Sequence, residues 1–488
     1  LIDGRTDLDI RKMQSAHLAR ITKNSIVGFA EKVVEISAGL ITVSILARYL
    51  DVEMFGLYTL IVTFAGMMLA LCSVGLDRIM VRDIASDREN YLSYIRDVKG
   101  ARLILAGISL VMILTIAFPL GIDSKQAIAA LLMFSASEVV SMYTNIYMSV
   151  FKAFEKMEYN TFITSITKLL IIFGLVVVVY NNLGFMGIFV SIAAGTLAKA
   201  MMTIAVFQKK YSRIDLPISF VHSAKIVKDS LLIAASTFFA IASIRMGIFL
   251  LQAFGTLKDV AYFQAANVLL VQLQPAAYVI AMALYPAIAS RKYEGNLLQK
   301  AAAFIFVISL PLMGLGFFYG DQLILLVYGW KYLDAVPAMK ILILSVTVTF
   351  LAHLLEIALL VEYRQKRMTV AWGTAFFVNI LLGIAVVPGY GLVGCASVMT
   401  ISYVVLFCML YYFVQKYTTF SISYRIFLKP TAAFLVMLLF LFGVSNKQTV
   451  GILEMVIYMA VSLILYGLML FLLQVIPIPW KKRSIETG

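Results

Sequence analysis

Apolar runs of about 20 residues recur along the whole 488-residue chain, separated by short polar breaks. A helix of that length covers about 30 Å, the thickness of the hydrocarbon core of a bilayer. Backbone N–H and C=O groups have no water to bond to in lipid, so segments this long must satisfy themselves as helices. The pattern predicts fourteen spans, at residues 25–48, 57–76, 101–120, 127–150, 161–181, 184–206, 229–252, 262–289, 298–319, 338–360, 369–388, 391–415, 430–445 and 449–474. Every loop on the outside is short. The longest breaks, at 77–100 and 207–228 on one side and about 320–337 on the other, are too small to fold as domains of their own.

Composition agrees with that reading. The chain is 62% hydrophobic and 14% charged, where a soluble chain is nearer half apolar and a quarter charged. The net charge of +14 does not point to nucleic acid, because Lys and Arg of a membrane protein gather in cytoplasmic loops. If the N-terminus is placed inside and the spans alternate, 30 of the 40 Lys and Arg residues fall in or at the edges of inside segments. Five fall outside (Arg48, Lys125, Lys258, Lys331 and Lys447) and five within spans (Lys32, Lys168, Lys199, Arg245 and Lys340). Both termini are therefore expected in the cytoplasm. Residues 1–24 contain no apolar core of signal-peptide type and read as a cytoplasmic arm.

The chain also repeats itself. LGFMGIFVSI (Leu183 to Ile192) and FQKKY (Phe207 to Tyr211) return as YGLVGCASVM (Tyr390 to Met399) and VQKY (Val414 to Tyr417). Gly184 and Gly391, Gly187 and Gly394, Gln208 and Gln415, and Lys209 and Lys416 are each 207 residues apart. FGLY (Phe55 to Tyr58) resembles VAYF (Val260 to Phe263) at a spacing of 205. Six spans per copy is an even number, so the copies run parallel, and parallel halves with a substrate between them are a transporter plan. The organisation expected is an arm (1–24), an N-lobe of spans 1–6 (25–206), a linker (207–228), a C-lobe of spans 7–12 (229–415), spans 13 and 14 with their preceding loop (416–474), and a cytoplasmic tail (475–488).

Little in the chain suggests bound chemistry. Cys72, Cys395 and Cys408 lie singly in apolar runs, and His17, His222 and His353 are scattered. Neither set has metal-ligand spacing, so no metal or cofactor is expected. Gly389-Tyr390-Gly391-Leu392-Val393-Gly394 matches G-x-G-x-x-G, but that pattern binds dinucleotides only between a strand and a helix. Here it joins two spans, where the glycines serve a turn and close helix packing.

Five segments carry a resemblance: ILARYLDVEMFGLYTL (Ile45 to Leu60), VGLDRIMVRDIA (Val74 to Ala85), VAYFQAANVL (Val260 to Leu269), YGWKYLDAVPAMKILIL (Tyr328 to Leu344) and YGLVGCA (Tyr390 to Ala396). Through them nearly the whole chain resembles the polysaccharide transporters of the multidrug/oligosaccharidyl-lipid/polysaccharide (MOP) exporter superfamily, which includes the O-antigen flippases. The resemblance implies an all-α integral membrane protein of about fourteen transmembrane helices. Two six-helix pseudo-repeat lobes would surround a central cavity, with two extra C-terminal helices. It also implies alternating access, a polyprenyl-(pyro)phosphate-linked oligosaccharide as substrate, and a multi-pass location in the inner or plasma membrane. Partners would be membrane lipids and other polysaccharide-assembly membrane proteins. One departure stands out: many relatives carry Arg-apolar-Asp in span 7, and this chain reads Arg245-Met246-Gly247.

Charges inside spans are costly and face protein or water, so they are the candidates for a polar passage. Arg245, in the outer part of span 7, is expected to fork onto a phosphate or else to snorkel to the interface. Arg48 is a candidate because basic residues are rare on the outside. Glu31 and Glu35 share a face of span 1, one turn apart, and would contact sugars or a coupling cation, or pair with Lys168 or Lys199. Lys168 and Lys199 are substrate candidates on the same footing. Glu138 and Glu356, in the repeat-partner spans 4 and 10, join Glu31 as candidates for ion coupling. Gln264 and Asn267 of span 8 suit sugar hydroxyls as well as interhelical hydrogen bonds. A drug or cation antiporter of the same superfamily is the rival reading. A membrane glycan polymerase or glycosyltransferase fits less well, since no loop is large enough to hold an acceptor.

Overall fold

The computed structural model describes residues 28, 30–73, 75–211, 223–289, 297–445 and 451–475. The arm at 1–24, with His17, lies outside the described residues, as do His222, most of the tail and the side chain of Cys72. Among the described residues every regular element is a helix: α1 (residues 30–49), α2 (Val52–Ser73), α3 (Leu76–Ser86), α4 (Tyr91–Ala117), α5 (Lys125–Ala153), α6 (Met157–Tyr180), α7 (Gly184–Lys210), α8 (Ser223–Phe254) and α9 (Leu257–Ala289). They are followed by α10 (Leu297–Phe318), α11 (Gly320–Val327), a 3₁₀ turn (Trp330–Ala335), α12 (Val336–Ile343), α13 (Val346–Val361), α14 (Gln365–Tyr417), α15 (Arg425–Ser445) and α16 (Ile452–Leu472).

Eleven of these helices are long and apolar enough to cross a membrane, and the pair Trp330–Ile343 and Val346–Val361, bent by 46°, makes a twelfth. Helix α14 has 53 residues, about 80 Å at 1.5 Å per residue, which is long enough for two crossings. Its two arms separate at Gly391, whose φ of 49° and ψ of −130° are not helical. Counted as two, and with the more charged α1 added, the helices number the fourteen that the apolar pattern predicts.

The repeat is visible in the local geometry of the two copies. Asp51 caps α2 by accepting the N–H of Met54 at 2.7 Å. Thr256, 205 residues later, caps α9, where its N–H and hydroxyl bond to Asp259 at 2.9 and 2.7 Å. At the other end of each copy, Gly184 and Gly391 both have positive φ, +69° and +49°, a region that costs residues with a Cβ and leaves glycine free. This explains the glycines of the G-x-G-x-x-G stretch as a break between helices. The N–H of Gly184 donates to the hydroxyl of Tyr49, in the Leu-Ala-Arg-Tyr-Leu segment, at 2.9 Å.

The chain forms two compact units, Leu1–Ala261 and Tyr262–Gly488. In the first, α2 packs on α4, α5 and α8, α5 on α3, α4 and α7, and α6 on α7. A cluster of rings closes one end, where Phe207 meets Tyr91, Tyr147, Phe151 and Tyr211. In the second unit, α10 packs on α12, α13 and α15, and α15 on α16. Phe434, Met437, Leu441 and Tyr466 attach the two C-terminal helices to Leu310 and Leu315 of α10. Large apolar residues such as Leu169, Phe173, Leu381 and Leu453 remain exposed, as lipid-facing surface requires. Phe118, Tyr180, Trp330 and Tyr390 are exposed at helix ends, the places that aromatic belts occupy.

The segment 77–100 differs from the sequence expectation of an inside loop. It holds α3 and the first ten residues of α4, and Asp97, Lys99 and Arg102 are buried. Lys99 lies 5.4 Å from the ring centroid of Tyr147. Hydropathy reads such charges as solvent-exposed because it has no access to their partners.

Close packing at Gly56 gives a test. A Cβ there would overlap the carbonyl of Leu257 at the start of α9, whereas one at Gly66 would meet nothing within 4 Å. Gly56→Val is expected to destabilise the protein by about 1–3 kcal/mol, read as a lower melting temperature in detergent, while Gly66→Ala, inside α2 with open space around it, does not lower it.

Candidate functional site

Four helices of the first unit turn polar stripes toward one another. Helix α1 presents Glu31, Glu35, Gly39 and Thr42, and α5 presents Glu138, Ser141, Asn145, Ser149 and Lys152. Helix α6 adds Thr164, Thr167 and Lys168, and α7 adds Thr196 and Lys199. Apart from the neighbours Thr167 and Lys168, these positions recur every three or four residues, so each set lies on one side of its helix. Together they line a cavity of about 760 Å³, with Tyr58 and Phe134 also on its wall.

The cavity runs deep. Lys152 stands in the last turn of α5, and Glu138 lies 14 residues earlier on that helix, about 21 Å farther in. Lys199 is the best-anchored cation, with Nζ donating to Asn145 Oδ1 at 3.0 Å and Ser141 Oγ at 3.4 Å. Glu138 is within electrostatic reach of both Lys199 and Lys168, and Glu31 of Lys152. Glu31 Oε2 also accepts from Thr161 Oγ1 at 3.4 Å.

The charges on the wall do not cancel. Glu35 is paired with Lys32 at 2.6 Å. Asp77, on the cavity wall, is paired with Arg102, which is fully buried and also donates to the carbonyl of Met142. Ser149 Oγ lies 3.3 Å from Asp77 Oδ1. With those two acids neutralised, Glu31 and Glu138 face Lys152, Lys168 and Lys199. Counted with Lys32 and Arg102 behind the wall, the cations around the chamber number five and the acids four, set among hydroxyls and amides.

Of the residues singled out from the sequence, Glu31, Glu35, Glu138, Lys168 and Lys199 line this one cavity. Arg48, at the far end of α1, and Arg245, half-buried in α8, are not among its lining residues. Gln264 and Asn267 belong to the second unit, where Asn267 is buried. Glu356 is held at both carboxylate oxygens, by His353 Nδ1 at 3.1 Å and Trp372 Nε1 at 2.5 Å. Sequence reasoning passed over Asp77, Asn145, Lys152 and the hydroxyl stripe. The missed signal was the helical spacing of Ser, Thr and Asn within apolar spans. Among the described residues no group of three or more His, Cys, Asp or Glu is placed to hold a metal.

The model of the polysaccharide biosynthesis protein family matches residues 21–292, more than half of the chain. The chain belongs to that family. No curated protein matches its sequence. Among solved structures, the chain is similar to the lipid II flippase MurJ in an inward closed conformation. The TM-score is 0.75 at 16% identity, over 92% of this chain and 98% of that one. It is also similar to an inward-facing multidrug resistance MATE family transporter of the MOP superfamily, with a TM-score of 0.59 at 14% identity over 79% and 94% of the two chains. A MATE transporter from Vibrio cholerae gives 0.57 at 13% identity over 82% and 97%. Likeness at these identities is a likeness of fold.

The Asp77–Arg102 pair supports the cavity wall, and its two halves should respond unequally. Asp77→Ala strands a fully buried guanidinium and is expected to cost about 3–5 kcal/mol. Arg102→Leu leaves a carboxylate that the cavity can hydrate, so its effect is smaller. Comparison of the two melting temperatures checks the order.

Proposed function

We propose that this protein is a flippase, not an enzyme, that carries a polyprenyl-(pyro)phosphate-linked oligosaccharide from the cytoplasmic to the outer leaflet by alternating access. The observation that carries the reading is the cationic, hydroxyl-rich chamber between α1, α5, α6 and α7. Each sugar hydroxyl moved into a medium that cannot hydrogen-bond costs roughly 4–8 kcal/mol, and a phosphate charge costs far more. A protein that offers such a head a wet, positive surface removes most of that barrier, and the prenyl chain can remain in lipid throughout.

In this reading Lys152, Lys168 and Lys199 receive the phosphate, and the Ser, Thr and Asn stripes receive sugar hydroxyls. Both termini lie in the cytoplasm of a cell whose inner or plasma membrane holds the protein. Lys152 and Glu31 then mark the cytoplasmic mouth. Arg48 and Arg245 are assigned to phosphate contacts made at another stage of the cycle. Glu31 and Glu138 are the carboxylates assigned to a coupling cation. The likeness to MurJ, a lipid II flippase, supports the lipid-linked cargo.

The rival reading is a drug or cation antiporter. It is favoured by Glu31 and Glu138 in the same chamber and by the MATE likenesses. The excess of lysine over unpaired acid weighs against a cationic cargo.

Reconstitution in liposomes with a fluorescent lipid-linked oligosaccharide tests the proposal. Lys199→Ala and Lys168→Ala are expected to slow flipping by about tenfold or more, the loss of one charge-assisted contact. Unchanged rates in both variants would remove the chamber from the pathway. Extrusion of a cationic dye with no movement of the lipid would favour the antiporter.

A further inference from the structure

The basic ends of the two units are built differently. In the first, cations sit beside acids: Arg88 is 3.7 Å from Glu155, Arg82 2.7 Å from Asp83 and Arg96 4.0 Å from Asp97. In the second, the two ends of α14 and the start of α15 carry Arg364, Lys366, Arg367, Lys416, Arg425 and Lys429. Glu362 is the one acid in residues 361–429, and it accepts from Thr419 Oγ1 at 2.9 Å. Among the described residues none of the six cations has an acid within ion-pair distance.

Arg367 and Lys416 meet on one ring, and the strap before Arg425 is bonded to the same end of α14. The guanidinium of Arg367 lies 4.1 Å from the ring centroid of Tyr417 and 5.6 Å from that of Phe413, which joins the two ends of α14. Lys416 Nζ bonds to Tyr412 Oη at 2.8 Å and lies 5.5 Å from the Tyr417 ring. Tyr411 Oη and Gln415 Nε2 both donate to the carbonyl of Ile422, at 2.9 and 2.8 Å, and draw in the strap that leads to Arg425. Stacking on a ring leaves the N–H edge of a guanidinium open to an anion. Orientation by positive charge accounts for cations at this end of the spans, but not for their stacking or their lack of acids.

Apolar surface begins directly beside them. On α15, Leu428 lies between Arg425 and Lys429, and Tyr424, Leu428 and Leu435 are all exposed. A free anion has use for the cations alone. A molecule with an anionic head and apolar chains has use for both surfaces. We infer that this end of the second unit, around Arg367, Lys416, Arg425 and Lys429, is a binding site for the headgroup of an anionic phospholipid. The site shares no residue with the chamber of the first unit and does not depend on the proposed cargo.

Native mass spectrometry of the delipidated full-length protein tests it, with phosphatidylglycerol, phosphatidylcholine and inorganic phosphate as probes. Phosphatidylglycerol is expected to be retained in preference to phosphatidylcholine. The combined variant Lys416→Ala, Arg425→Ala and Lys429→Ala is expected to weaken that binding by about fivefold per cation removed. Lys209→Ala with Lys210→Ala, at the basic end of the first unit, should leave it unchanged. Should the combined variant not fold, Lys416→Ala alone alters one exposed side chain and reads the same loss at about fivefold. Equal retention of the two lipids, or full phosphatidylglycerol binding by the variants, would overturn the inference. So would displacement of the lipid by inorganic phosphate at equal concentration, which would mark a site for free anions.

Discussion

A polar group inside a bilayer must find its partner within the protein, because lipid supplies none. This constraint makes every span a helix. It then acts on side chains: a polar group within a span either bonds to its own helix, as Thr115 and Thr431 do with the carbonyls of Val111 and Phe427, or turns toward other polar groups. In the first unit the collected groups are the stripes of α1, α5, α6 and α7, and what they enclose is a chamber of about 760 Å³. In the second unit the same pressure gives Glu356 a partner on each oxygen, His353 and Trp372. The chamber and the His353–Glu356–Trp372 triad are two outcomes of one rule, the first left hollow and the second paired within itself.

The hollow outcome needs support. Arg102 supplies it by tying α4 to Asp77 of α3 and to the backbone of α5 at Met142. The rings around Phe207 and Tyr211 close the adjoining end. Arg102 meets its partners through both terminal guanidinium nitrogens, and Lys152, Lys168 and Lys199 are left to the interior. The chemistry available to a ligand is therefore what remains after the wall has satisfied itself.

Repetition explains why distant segments behave alike. Asp51 and Thr256 cap corresponding helices, and Gly184 and Gly391 turn corresponding corners with positive φ. In both cases the matched letters are those with a local physical duty, a cap or a left-handed residue. Between these points the copies have diverged: one carries the lysine chamber, the other an acid-poor patch of stacked cations at its end.

How much was legible follows from what each signal depends on. Helix number, the repeat and the break at Gly391 depend on local properties, namely run length, spacing and backbone freedom, and these are written in the chain itself. Glu31, Glu138, Lys168 and Lys199 were legible as candidates because a charge in an apolar run is rare whatever surrounds it. Their meeting in one cavity was not legible, since residues more than 160 positions apart are brought together by packing alone. Lys152 and Asp77 looked like ordinary charges at the edges of spans, and only the neighbouring helices decided that they face inward. Arg102 carries the same lesson: hydropathy cannot tell a snorkelling arginine from one sealed against a carboxylate, because that difference lies entirely in the partner.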